Sequence, residues 1–304
     1  MTESGAVSPT TQPAALQRAK SDREHSLWRD AFVRLTRNPG SMVGAGILVI
    51  LILAAAFAPH VTGHKDPTIL APSERLRAPS AQHWFGTDAF GRDMYTRIVY
   101  GGRISMRVGI ISVTIASLIG IAMGLVAGYY GGLVDKITMR VVDFVLAFPG
   151  ILLALVIIAI LGPSLFNAMV AVGISSAPAY ARVARGSVLK TKEELFILAA
   201  ESTGCRAGRI MIHHILPNIL APLVVVATLG VAGAIISAAA LSFLGLGAVP
   251  PTPEWGLMLS EGRNYLHQAW WITTFPGVAI MVTVLSINLL GDGLRDALDP
   301  HMQR

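Results

Sequence analysis

Six apolar runs, each close to the length that crosses a lipid bilayer, constrain this chain more than any other feature: Ser41 to Ala58, Ile104 to Gly128, Val141 to Leu161, Leu165 to Val183, Leu220 to Leu244 and Ile272 to Leu290. At about 1.5 Å of rise per residue, a helix of ~20 apolar residues covers the ~30 Å hydrocarbon core. There every backbone N–H and C=O must be paired within its own segment, which selects the α-helix for separate runs of this length. The expected fold is an all-α integral membrane protein with six transmembrane helices. The fourth run carries Gly173, Ser175, Ser176 and Pro178, which a membrane helix tolerates where neighbours pair the freed backbone groups. Composition agrees, with 53% of the 304 residues hydrophobic and 14% charged. The mean hydropathy of +0.59 lies outside the balance of soluble domains.

The net charge is +6. Its Lys and Arg residues lie between the apolar runs and form no single basic face interleaved with aromatics, so they read as loop charges and not as a nucleic-acid surface. Arg18, Lys20, Arg23, Arg29, Arg34 and Arg37 precede the first run, which predicts a cytoplasmic N-terminus. Six crossings return the C-terminus to the cytoplasm. On that topology Lys136, Arg140, Arg182, Arg185, Lys190, Lys192, Arg206 and Arg209 are inside, and the outer segment from Gly245 to Trp271 carries only Arg263. The long outer loop from Pro59 to Arg103 sets Lys65, Arg75, Arg77, Arg92, Arg97 and Arg103 against Asp66, Glu74, Asp88 and Asp93. Its stretch from Phe85 to Val108 is expected to lie on the membrane surface as an amphipathic helix, with Trp84, Tyr95 and Tyr100 at the interface.

This gives an organisation of a cytoplasmic tail (1–33, disordered to about Asp22), a first span with its outer loop (34–103), a five-helix core (104–291) with a cytoplasmic loop (184–217), and a C-terminal tail (292–304). The polar first forty residues lack the apolar core of a secretory signal. The cytoplasmic loop is rich in Leu, Ala, Glu, Lys and Ile, and is expected to be helical.

Signatures of chemistry are missing. The chain has no Gly-x-x-x-x-Gly-Lys-Ser/Thr phosphate cradle, no His-Glu-x-x-His and no Gly-x-Ser-x-Gly. The single cysteine, Cys205, excludes an intrachain disulfide. His213 and His214, being adjacent, point to different faces of a helix, so no shared metal site is expected. Asp143 lies near a cytoplasmic end and Arg107 near an outer end where it can snorkel, leaving no titratable relay at mid-bilayer. The energy source is expected to be external. The rival readings are a standalone ion-coupled carrier or channel, and a membrane enzyme with Asp143, Asp292 and the histidine pair as its only candidate groups. Gly120, Gly124 and Gly128 share one face of the second run and admit a close neighbour, either within the chain or across a subunit interface. Pro149, with Gly150, is expected to kink the third span for shape or gating. Pro250, Pro251, Pro253, Trp255 and Gly256 form a rigid outer segment that would cap a path.

The cytoplasmic loop reads Leu198-Ala199-Ala200, then Gly204, then Ile215-Leu216-Pro217-Asn218. This resembles the permease loop of bacterial ATP-binding-cassette importers, Glu-Ala-Ala, three residues, Gly, nine residues, Ile-x-Leu-Pro. Ala199, Ala200, Gly204, Leu216 and Pro217 fall at matching positions, while Leu198 takes the acidic place and His214 the Ile place, with Glu201 one turn on from Leu198. Stretches beginning at Gly86, Leu241 and Asn288 are similar to the C-type permease subunit of dipeptide, oligopeptide and nickel importers. The resemblance implies a type I importer permease fold whose loop, with Leu198, Ala199, Ala200, Glu201, Gly204, Cys205, Arg206, Arg209, Leu216 and Pro217, holds a coupling helix that docks on an ATPase. It further implies a homologous permease partner, two cytoplasmic nucleotide-binding subunits carrying the ATP and Mg, an extracytoplasmic substrate-binding protein, and residence in the bacterial inner membrane. No cofactor is expected in this chain.

Overall fold

The computed structural model describes residues 33–298; the expected tail up to Asp22 and the residues after Leu298 lie outside them. Among the described residues there is no β-strand, only an isolated bridge between Thr87 and Asp93. The principal helices are α1 (Pro39–Ala56), α2 (Met94–Tyr130), α3 (Gly132–Leu146), α4 (Gly150–Leu161), α5 (Leu165–Thr191), α6 (Leu195–Ser202), α7 (Leu220–Phe243), α8 (Trp255–Gly262) and α9 (Trp271–Leu298).

Local chemistry sets where they begin. Asn38 accepts from the N–H groups of Gly40 and Ser41, with Pro39 at the first turn of α1. Asp93 accepts from Thr96 N–H at 2.9 Å to start α2, and Ser164 accepts from Asn167 N–H at 3.0 Å to start α5. Each cap satisfies N–H groups that an unaided helix end leaves unpaired, typically worth about 1 kcal/mol.

α1, α2, α7 and α9 are each long and apolar enough to cross a membrane. α3 and α4 meet that test only as a pair, bent by 93° at the short link between them. The third apolar run is therefore two helices rather than one kinked helix: Pro149 stands outside both, as the extended residue that starts α4. α5, the fourth run, is 27 residues long but is not among the helices apolar enough to span by that measure. Its position explains this. It is packed by α2, α4 and α7, and small buried residues such as Ala168, Ala171, Ala181 and Ala184 line it at 0% exposure, so little of it needs a lipid-facing surface.

The amphipathic surface helix expected from Phe85 to Val108 is absent. Residues up to Asp93 form a loop, and Met94 opens a helix of 37 residues, about 55 Å long. Continuity wins because Asp93 caps the helix and nothing from Met94 to Tyr130 breaks it; its length exceeds what an upright crossing of a ~30 Å hydrocarbon layer needs.

The contacts order the helices end to end. α2 and α5 run parallel, since Gly120, Gly124 and Gly128 of α2 meet Ala177, Ala181 and Val188 of α5 in sequence. α1 enters beside Leu289 and leaves beside Arg103. The loops 57–93 and 244–270 thus gather at one end of the bundle, and the segment from Lys192 to Ile219 at the other, together with the start of α1 and the close of α9. The main core lies between α2, α4, α5 and α7, around Val108, Ala116, Ile158, Val172 and Leu241.

Candidate functional site

The segment between α5 and α7 has a buried base and an exposed apolar crest. Ile197, Ile210, Ile215 and Ile219 are at most 1% exposed and pack with Leu125 of α2, Ala184 and Val188 of α5 and Leu223 of α7 as a second core. Each such side chain contributes roughly 1.5–3 kcal/mol on burial, so the segment is fixed to the helix ends. Leu195, Leu198 and Ile212 instead face outward at 82%, 48% and 57% exposure.

The spacing of the loop's residues has a local cause. Gly204, at φ +78°, ends α6: its N–H donates to Glu201 O at 2.9 Å and the next N–H, of Cys205, to Ala200 O at 3.1 Å. These two bonds define a Schellman cap, which needs a left-handed residue where glycine carries no Cβ penalty. Ala200 and Cys205 both pack on the buried base, supplying the apolar contact that accompanies such a cap. A π-helical turn, Ile210–Ile215, then leads to Leu216 and Pro217. Leu216 is half-buried against the base, whereas Ala199, Arg206, Arg209 and Pro217 are exposed. Glu201 accepts from the Tyr129 hydroxyl at 3.4 Å, linking α6 to the end of α2. His213 is exposed and His214 half-buried, and no group of three or more metal-ligating side chains occurs among the described residues.

Charged clamps hold the helices that flank this segment. Arg185 of α5 binds Asp135 of α3 through two nitrogens, one at 2.6 Å, and Arg182 reaches Asp143 at 2.8 Å. Asp143 is therefore an ion-pair partner on the surface. The glycine stripe faces α5 of the same chain: a Cβ on Gly124 would stand 2.4 Å from Ala181 O, and one on Gly120 2.4 Å from Ala177 O. Pro149 lies in the exposed link between α3 and α4, outside both helices.

The opposite end holds a charge cluster that sequence reading missed. Arg92 Nε donates to Asp88 Oδ2 at 2.6 Å, and Arg92 and Arg97 each donate to Glu261 Oε2 at 2.9 Å. Arg97 is fully buried and Asp88 nearly so. Asp88 and Glu261 are far apart in the sequence, and only the spacing of Asp88 and Arg92 hinted at a pair. The proline-rich segment docks beside this cluster: Trp255 Nε1 donates to Ile98 O at 3.0 Å, and Glu254 accepts from Gly256 and Leu257 N–H to cap α8. Burial pushes the Glu254 carboxyl up, against hydrogen bonds that lower it. At Asp93 burial also acts upward, but the bonds from Thr96 N–H, His83 and the Thr96 hydroxyl, with Lys65 at 3.9 Å, outweigh it and hold that carboxyl below its ordinary range.

Comparison with known proteins places this arrangement. Residues 120–304 match the family model described as binding-protein-dependent transport system inner membrane component, and residues 26–79 the N-terminal transmembrane domain of oligopeptide transport permease C. The dipeptide transport system permease protein DppC of Alkalihalophilus pseudofirmus is 53% identical over 91% of each chain. The glutathione transport system permease protein GsiD of Pectobacterium atrosepticum is 46% identical, covering 91% of this chain and 92% of the relative. The probable D,D-dipeptide transport system permease protein DdpC of Escherichia coli K12 is 43% identical, covering 88% and 89%. In fold, the chain resembles a chain of the inward-facing MetNI methionine ABC transporter at a TM-score of 0.53 and 21% identity, over 68% of this chain and 98% of the other. With over half its length inside the first family model and close relatives aligned along nearly all of it, this chain belongs to the binding-protein-dependent transport inner membrane components, as a multi-pass membrane permease subunit of the dipeptide and oligopeptide ABC-importer type.

Proposed function

We propose that this subunit pairs with a homologous permease to enclose a path for di- or oligopeptides, and that its α5–α7 segment is the surface on which a cytoplasmic ATPase docks. One observation carries the docking assignment: an exposed apolar crest, Leu195, Leu198 and Ile212, stands on a base buried to 1% or less and continuous with α5 and α7. Apolar side chains at the polar end of a membrane bundle gain no lipid, so a protein partner is what covers them. Two nucleotide-binding subunits would supply ATP and Mg, and an extracytoplasmic binding protein would deliver substrate at the 57–93 and 244–270 end. On this reading the loop end is cytoplasmic, and both termini lie on that side.

The mechanism follows from rigidity. A partner that moves as a body on nucleotide binding pushes the crest, and the buried isoleucines transmit the displacement to α5 and α7 without absorbing it. Each nucleotide state then shifts the balance between inward- and outward-facing forms by its differential affinity for them. A standalone ion-coupled carrier receives no support from the buried charges among the described residues: Asp88, Arg92 and Arg97 pair with one another and with Glu261, Glu254 caps α8 at the same end of the bundle, and they form no chain across it. Labelled-dipeptide uptake by cells carrying the assembly tests the proposal. Deletion of Ala199 to Arg209, and separately Leu195→Asp with Leu198→Asp, should abolish uptake while the chain still inserts in the membrane. Normal uptake by either variant contradicts it.

A further inference from the structure

Between α1, α2, α7 and α9 lies a groove of about 340 Å³. Its walls are Leu48 and Ile52 of α1, Met106 and Ile110 of α2, Ile235 of α7 and Ile287 of α9, and its only charged lining residues are Arg103 and Arg107. The one other polar wall residue, Thr228, already donates to Val224 O at 2.9 Å. The two arginines differ. Arg103 closes the end of α1, donating to Ala55 O and, at 2.5 Å, to Ala56 O, with Tyr100 under its guanidinium at 5.5 Å. It therefore marks the level at which the 18-residue apolar helix α1 ends. Arg107 lies one turn further along α2, about 6 Å deeper toward the bilayer centre. It is exposed and has no hydrogen-bond or ion-pair partner among the described residues.

A guanidinium placed inside the apolar layer without an anion is costly, and such residues are normally paired. No carboxylate among the described residues lines the groove, so the anion is supplied from beyond them. We infer that this groove binds an anionic phospholipid, with acyl chain against the apolar walls and phosphate held between Arg107 and the free N–H groups of Arg103. Arginine suits that role because its planar fork matches phosphate oxygens in pairs and its charge persists at every physiological pH. A bound lipid would fix α1 to the α2–α7–α9 surface.

Native mass spectrometry of the full chain, purified from nanodiscs of mixed phosphatidylglycerol and phosphatidylethanolamine, tests this. The wild type should retain phosphatidylglycerol through stepwise delipidation. Arg107→Gln breaks no bond within the chain and should lower that retention about tenfold, the usual scale for losing a charge-assisted hydrogen bond; Arg107→Lys should keep most of it. Met106→Trp, which fills the groove and spares both arginines, should lower it as well. Equal retention in wild type and Arg107→Gln, equal retention of phosphate-free diacylglycerol, or a photo-crosslinker at Met106 that captures a polypeptide in place of lipid would each overturn the assignment.

Discussion

Gly124 shows how much a single missing side chain controls here. A Cβ at that position would meet Ala181 O at 2.4 Å and the Ala184 Cβ at 2.6 Å, and neither backbone carbonyl nor alanine can rotate away. Gly124→Ala should therefore force α2 and α5 apart and cost about 1–3 kcal/mol, the usual range for overpacking. Thermal unfolding in detergent would register it as a clear drop in midpoint, and an unchanged midpoint would refute the tight contact. Glu254 gives a pH-dependent counterpart. Its carboxyl is 3% exposed and its folded-state pKa is raised by burial above the ordinary value of 4.5. Its contribution to stability is thus fully present below 4.5 and is lost as pH rises through the higher folded value. The midpoint should fall with rising pH over that interval, and Glu254→Gln should flatten the slope; an identical slope in the variant would show that another group governs it.

At the scale of elements, what the sequence disclosed follows from how local each cause is. α1, α2, α7 and α9 were legible because length and apolarity are properties of the run itself. Gly204 stood out through the loop's resemblance to the importer motif, and the Schellman cap behind it is completed within six residues. The α3–α4 bend was only partly so: Pro149 announced an interruption, but the 93° angle depends on where α5 and the Arg185–Asp135 clamp hold the two halves. The Phe85–Val108 stretch misled because an interfacial composition reads the same whether the helix lies on a membrane or stands out of it as the first turns of a long span. The glycine stripe left its partner open, and packing against α5 is a tertiary fact that spacing within α2 cannot contain.

For the whole molecule, the two ends differ in what they bury: a charge cluster at one and a base of isoleucines at the other. The 57–93 and 244–270 end is locked by the Asp88, Arg92, Arg97 and Glu261 cluster, in which two of each charge cancel within a nearly dry volume. Removing a carboxylate leaves a buried guanidinium uncompensated, so Glu261→Gln should cost about 3–5 kcal/mol, visible in unfolding and in faster proteolysis of the 57–93 loop; wild-type behaviour in both would mean the cluster is dispensable. The loop end rests on its isoleucine base, with the Arg185–Asp135 and Arg182–Asp143 pairs clamping the flanking helices, and leaves the crest of Leu195, Leu198 and Ile212 exposed. Its role is tested most directly by placing the chain's only thiol on the crest, Leu198→Cys with Cys205→Ser, in the intact transport assembly, and treating it with a short thiol-reactive crosslinker. The account predicts a covalent adduct with a nucleotide-hydrolysing subunit whose yield changes when ATP is bound. An adduct with an extracytoplasmic protein instead, or a crest that stays free while ATP-driven uptake proceeds, would contradict it.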